Sequence, residues 1–256
     1  MDIIQAVILS IVEGVTEFLP ISSTGHLILT SKLLRIPETE FLKSFEIFIQ
    51  LGAILAVVVL FFKKYIQNFK VWKNVAVAFI PTAIVGFFLY GLIKEYLLGN
   101  SFVTVSALLI GGILLIVLEK SYREKENHIS TINNLTMKQC LLIGVAQSLS
   151  VVPGVSRAAA TILGGMYLGA KREVAVEFSF LLAVPTMSAA VGLDLVKSNF
   201  NFSSSEWGIL GIGFVISFVT ALIVVRWFIK FIKTNTFVYF GIYRIIVALL
   251  FLLFVY

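Results

Sequence analysis

Charge is what this chain has least of. Only 20 lysines and arginines and 14 aspartates and glutamates occur in 256 residues, or 13%, where an ordinary soluble domain carries about a quarter. With 59% apolar residues and a mean hydropathy of +1.01, that shortage excludes a soluble globular core. Cysteine is nearly absent. Cys140 stands alone, so no internal disulfide forms, and a lone cysteine behaves as a small hydrophobe. The start, Met1-Asp-Ile-Ile, lacks a basic segment and a small-residue cleavage site, so no removed signal peptide is expected. The net charge of +6 would suggest nucleic acid in a soluble protein. In a chain this apolar it reads as basic cytoplasmic loops, and no nucleic-acid partner is expected.

What the chain has instead is long apolar runs. Segments able to span a bilayer, about 20 residues each, are expected at Phe45–Phe62, Val75–Ile93, Ser101–Leu118, Val174–Leu195, Trp207–Ile229 and Thr236–Tyr256. Two further stretches, Ile3–Leu34 and Gln139–Leu168, are broken near the middle by Pro20-Ile-Ser-Ser-Thr-Gly and Pro153-Gly-Val-Ser. Proline removes a donor and disfavours helix at the residue before it, so each stretch predicts two half-helices too short to cross. Non-helical backbone survives at membrane depth only where protein or a wet cavity satisfies it. Two re-entrant hairpins are therefore expected.

The two halves resemble each other. The same offset separates Pro20 from Pro153 and Ser23 from Ser156, and Gln5 has a counterpart in Gln139. The expected fold is an all-α polytopic membrane protein with an inverted-topology repeat, each half a re-entrant hairpin plus three transmembrane helices. It forms one integral membrane domain over 1–256: repeat 1 at about 1–118, a linker at 119–136 and repeat 2 at about 137–256. Such repeats hold their ligand near the midplane where broken helices meet. With both termini outside, thirteen lysines and arginines, from Lys63 to Lys233, fall on the cytoplasmic side. Five (Lys32, Arg35, Lys43, Lys94 and Lys197) fall outside, which favours that orientation.

The segment from Glu13 to His26, EGVTEFLPISSTGH, places two carboxylates, three hydroxyls and an imidazole inside an apolar stretch. Charge at that depth costs a few kcal/mol per group and marks a functional site. Glu13 and Glu17 share one helix face. Ser22 or Ser23 can cap the half-helix after Pro20, leaving an N-terminus that favours an anion. His26 lies one turn beyond Ser23. Ser156 is placed to cap the other hairpin, and Arg157 beside it suits phosphate oxygens, the rival reading being a structural pairing with a carboxylate. Two carboxylates beside a phosphate call for a divalent cation between them. A hydroxyl near an imidazole supplies a nucleophile and base, or a base for water. Glu46 and Glu177 are expected to brace the hairpins, Asp194 to face outer water, and Arg244 to have a partner that the sequence does not name.

At these residues the chain resembles the undecaprenyl-diphosphatase (bacitracin-resistance) family of bacterial membrane phosphatases. The resemblance rests on Glu13–His26, Phe45-Glu-Ile-Phe-Ile-Gln-Leu-Gly52, Pro153-Gly-Val-Ser-Arg157 and Glu177-Phe-Ser-Phe-Leu-Leu-Ala-Val-Pro185, and covers essentially the whole chain. It implies hydrolysis of undecaprenyl diphosphate to the monophosphate and inorganic phosphate, recycling a cell-wall lipid carrier and conferring bacitracin tolerance. It implies a polyprenyl diphosphate as substrate, Mg²⁺ or Ca²⁺ as cofactor, and the bacterial cytoplasmic membrane as location, with the site open to the periplasmic face. A homodimer is the oligomer considered.

Carried over, Glu13 and Glu17 are the acidic pair and metal ligands, Ser23 the candidate nucleophile, His26 the acid/base and Arg157 the phosphate anchor. Ser22, Thr24 and Ser156 join Arg157 in binding substrate phosphate. One departure is Ser156-Arg-Ala-Ala-Ala-Thr161, where the family commonly has Ser-Arg-Ser-Gly-Ala-Thr. The alternative function is an ion-coupled or lipid transporter on the same repeat, though cation coupling needs neither a Ser/His pair nor Arg157. Lipid phosphatases whose nucleophile is a histidine following a Ser-Arg motif are excluded by inventory, since the histidines are His26 and His128.

Overall fold

A computed structural model of the chain describes residues 1–92, 100–197 and 202–255. The described residues form ten α-helices: α1 Ile3–Thr16, α2 Ser23–Leu33, α3 Glu40–Tyr65, α4 Phe69–Leu92, α5 Ser101–Ser121, α6 Met137–Ser148, α7 Arg157–Tyr167, α8 Arg172–Lys197, α9 Ser204–Phe231 and α10 Val238–Val255. The only β-pairing among the described residues is a single bridge, Ile129 to Ala170. Five helices (α3, α4, α5, α8 and α9) are long and apolar enough to cross a membrane, and α10 contributes a shorter apolar helix over Val238–Leu253. The chain is a multi-span membrane protein. The run expected at Phe45–Phe62 extends by more than a turn at its start and by most of a turn at its end, because Thr39 caps Leu42 N at 3.1 Å and Lys63 and Lys64 sit at the last turn. Its 26 residues span about 39 Å at 1.5 Å per residue. Lys94 and the side chains of Asp194 and Lys197 lie outside the described residues.

The two broken stretches are helical hairpins built alike. Each opens on a capping box, Asp2 with Gln5 in one and Thr136 with Gln139 in the other. The same glutamine then closes its hairpin: Gln5 Nε2 donates to Leu34 O at 3.5 Å and Gln139 Nε2 to Leu168 O at 2.7 Å. Ser22 and Ser156 cap the second half-helices with φ of 71° and 76°, and Arg35 and Gly169 leave them at φ of 52° and 91°. α2 and α7 have 11 residues each, about 16 Å of helix and half a bilayer. The matched caps correct the expected register. Ser22, rather than Ser23, corresponds to Ser156, so Ser23 corresponds to Arg157.

Each hairpin opens against a long helix from the other half of the chain, α1 on α9 and α6 on α4, while α3 packs on α8 and α9, and α5 on α10. Gly144 lets α6 approach α4 closely, since a Cβ there would lie 2.1 Å from Ala78 O. Phe18, in the turn after α1, packs edge-on against Phe180 of α8 at 5.3 Å, placing the first turn beside the second half's central helix. α5 runs on to Ser121, so the first residues of the expected linker are helical. The rest is pinned down: Tyr122 donates to Ala170 O at 3.0 Å, and Asn74 Nδ2 donates to Ile132 O and Leu135 O at 3.2 Å each. Glu46 braces the first hairpin by accepting from Ser31 at 2.8 Å. Glu177 instead ties α8 to the end of α3 through Lys64 at 2.8 Å and Tyr65 at 2.5 Å.

Candidate active site

The two hairpin turns meet at a cleft of about 140 Å³ lined by Glu17, Ser22, Ser23, Thr24, Ser156 and Arg157, together with Gln50, Ser150, Thr186 and neighbouring apolar residues. Both second half-helices point their N-termini at it. Ser22 Oγ accepts from Gly25 N and Ser156 Oγ from Ala159 N. The amides of Ser23, Thr24, Arg157 and Ala158 precede the first intrahelical bond, so two positive helix ends face one small space.

One carboxylate joins the halves. Glu17 Oε1 accepts from Arg157 Nη2 at 2.8 Å across the chain, and Glu17 Oε2 accepts from the Ser23 hydroxyl. Arg157 is fixed further by donating from Nη1 to Ser179 O at 2.9 Å, and it lies over the Phe18 ring at 5.7 Å. Its Nε is buried without an acceptor, which leaves one donor of the guanidinium uncommitted beside the cleft. The carboxylate pairing expected as the rival role for Arg157 is thus present, and the same side chain lines the anion-sized space.

Glu13 lies one turn before Glu17, fully buried behind it rather than in the cleft lining. Neither of its oxygens meets a hydrogen-bond donor, and its charged neighbours include Glu17, Glu46 and Arg157. Two donor-free carboxylate oxygens next to a second carboxylate fit a divalent cation. Among the described residues no three histidines, cysteines, aspartates or glutamates are grouped to hold one. Glu13 and Glu17 are thus the carboxylates that would hold a cation, as two carboxylates can for Mg²⁺ when other ligands complete its shell.

His26 is placed differently from the expectation. Its Nδ1 faces Ser22 O at 2.8 Å and its Nε2 faces the Tyr243 hydroxyl at 2.9 Å. A carbonyl only accepts, so Nδ1 carries the proton and Nε2 accepts from Tyr243. Both ring nitrogens are engaged away from Ser23, and His26 is not part of the cleft wall. The group that holds the Ser23 proton is Glu17. Gln50 and Thr186 line the cleft and escaped the sequence reading. A glutamine inside the apolar run of α3 was the available signal for the first. Ala158 and Ala159, where the motif departs from its common form, are buried in the first turn of α7, and Ala159 N still serves the cap on Ser156.

Comparison with known proteins gives a consistent result. The family model described as bacitracin resistance protein BacA matches residues 6–250. The undecaprenyl-diphosphatase of Aquifex aeolicus (strain VF5) is 55% identical over 247 residues, covering 96% of both chains. Those of Sulfurihydrogenibium sp. (strain YO3AOP1) and Wolinella succinogenes are 51% and 50% identical over 253 and 252 residues, covering 99% and 98% of both chains.

Proposed function

Because the chain belongs to the bacitracin resistance protein BacA family, we propose that it hydrolyses undecaprenyl diphosphate to undecaprenyl phosphate and inorganic phosphate. That activity regenerates the carrier lipid for cell-wall synthesis and confers bacitracin resistance. The observation that carries the mechanism is the Ser23–Glu17–Arg157 chain across the two hairpins. Ser23 attacks the terminal phosphorus, its proton passes to Glu17, and the bridging P–O bond breaks as the lipid monophosphate leaves. Water then releases phosphate from the serine. Direct attack by water, with Glu17 as base, uses the same groups.

Arg157, the two helix N-termini and the hydroxyls of Ser22, Thr24 and Ser156 hold the phosphoryl oxygens. That arrangement aims donors at charge that grows in the transition state. Glu13 and Glu17 would hold the divalent cation, which supplies charge neutralisation for the diphosphate. His26 acts one step removed, by fixing the Ser22 carbonyl.

Two features of the architecture belong to the same proposal. The matched hairpins and the reciprocal packing of α1 on α9 and α6 on α4 support an inverted repeat, α1–α5 and α6–α10. The excess of lysine and arginine in one set of loops supports a bacterial inner-membrane protein whose site opens outward.

Purified protein in detergent should release phosphate from a polyprenyl diphosphate when Mg²⁺ or Ca²⁺ is present, and stop when the cation is chelated. No release under either cation sinks the phosphatase reading. Phosphoserine at Ser23 in rapid-quench samples would select the covalent route, and near-normal turnover in Ser23→Ala would exclude it.

A further inference from the structure

Arg244, in α10, is the largest fully buried side chain among the described residues, and it belongs to no part of the cleft wall. Its five N–H groups meet five backbone carbonyls. Nε donates to Leu108 O at 3.3 Å, Nη1 to Pro20 O at 3.3 Å and Val155 O at 3.1 Å, and Nη2 to Ala107 O at 3.1 Å and Gly154 O at 2.8 Å. The guanidinium has five donors in a fixed plane and no others, so its capacity is filled. None of these partners is a carboxylate. The carbonyls come from three places: the turn of the first hairpin, the turn of the second, and the middle of α5.

We infer that Arg244 is a positioning residue that locks the two re-entrant turns into one rigid unit, and so sets the distance between Ser23 and Arg157. Pro20 lies two residues before the Ser22 cap, and Gly154 and Val155 lie immediately before the Ser156 cap. Gripping those carbonyls fixes the peptide planes on one side of each turn, while the helix N-termini on the other side face the cleft. Both caps have positive φ, a backbone state that persists only where its surroundings hold it. A single side chain bonded to both turns provides that hold for the pair together. The neighbouring Tyr243 extends it, because its hydroxyl bonds His26, whose Nδ1 in turn holds the Ser22 carbonyl.

Space for the clamp is prepared on α5. A Cβ at Gly111 would lie 2.0 Å from Arg244 Nη2 and 2.7 Å from its Cζ. A side chain at 111 is thus incompatible with the observed guanidinium position, which gives a way to displace the clamp without touching Arg244.

The inference rests on the phosphatase reading for its effect on turnover, but not for the clamp itself. Two readouts keep them apart, on full-length protein with Arg244→Lys, Gly111→Ala and, as control, Gly86→Ala, whose Cβ would meet nothing within 4 Å. A lysine has three donors, so it leaves at least two of the five carbonyls unserved. Amide hydrogen exchange of the folded proteins should rise in both turns together, at Ser22–Gly25 and Ser156–Ala159, in the first two variants and in neither turn of the control. In the same samples kcat should fall about 100-fold, the scale of an ångström-level misplacement, with KM changed much less, while Gly86→Ala keeps wild-type turnover. Exchange that rises in one turn only, or in none, overturns the clamp. Raised exchange with unchanged kcat per folded molecule reduces Arg244 to a structural role and overturns the inference. A wild-type protein that releases no phosphate would refute the phosphatase reading, with the exchange result still deciding the clamp.

Discussion

Glu17 is asked to do three things at once: accept from Ser23, pair with Arg157 and stand beside Glu13. Its pairing with Arg157 is almost dry, the two side chains being 6% and 10% exposed. Breaking such a pair leaves an uncompensated buried charge, at a cost of about 3–5 kcal/mol. Glu17→Gln keeps the shape, removes the base and leaves Arg157 half served, so turnover should fall at least about 100-fold, the lower bound for losing a general base. His26→Gln should cost less, since His26 holds Ser22 O and Tyr243 rather than the nucleophile. Phosphate release by the two purified variants checks the order, and a larger loss in His26→Gln would return the imidazole to the role of base. The sequence spacing put His26 and Ser23 on one helix face, which is true. What the spacing could not contain is Tyr243, a tertiary partner 217 positions away that turns the ring. Arg244 was unreadable for a related reason: its partners are carbonyls, and every residue has one.

At the scale of elements, the hairpins were legible because their breaks are local. Proline, small polar residues and a bounded apolar run are enough to stop a helix at membrane depth. The register between the hairpins was misread by one position because the prolines, the most visible marks, are not equivalent; Pro20 corresponds to Gly154. The caps carry the true correspondence, and they make a prediction. Ser156 holds φ at 76°, a strain of about 1–3 kcal/mol in a non-glycine residue. Glycine relieves that strain, gives up a few tenths of a kcal/mol of capping and adds about 0.5–1 kcal/mol of unfolded-state entropy. The opposing terms are of similar size. Ser156→Gly should shift the melting temperature in detergent by no more than a few degrees while lowering turnover about tenfold, because the hydroxyl lines the cleft. A large loss of stability with turnover intact would show the cap to be structural only.

For the whole molecule, the apolar helices were written in composition, five of the six expected runs being long enough to cross and the sixth, α10, shorter, but their assembly was not. That α1 packs on α9 and α6 on α4 depends on close backbone approaches such as Gly144 against Ala78 O, which no hydropathy profile reports. The proposed orientation is open to a direct test, helped by the fact that Cys140 is fully buried and silent to aqueous reagents. A membrane-impermeant maleimide applied to intact cells should label Lys43→Cys and leave Lys125→Cys unlabelled; the reverse pattern would invert the protein in the membrane. The bond between Glu17 and Arg157 has a last consequence, for synthesis on the ribosome. The partners are 140 positions apart, so at about 5–20 residues per second the first hairpin emerges roughly ten seconds before its counter-charge exists. During that interval Arg157, the partner of Glu17 in the fold, has not been made, and an unpaired carboxylate at bilayer depth is costly. The final seating of the first hairpin is therefore expected to follow synthesis of the second, when the Glu17–Arg157 pair can form.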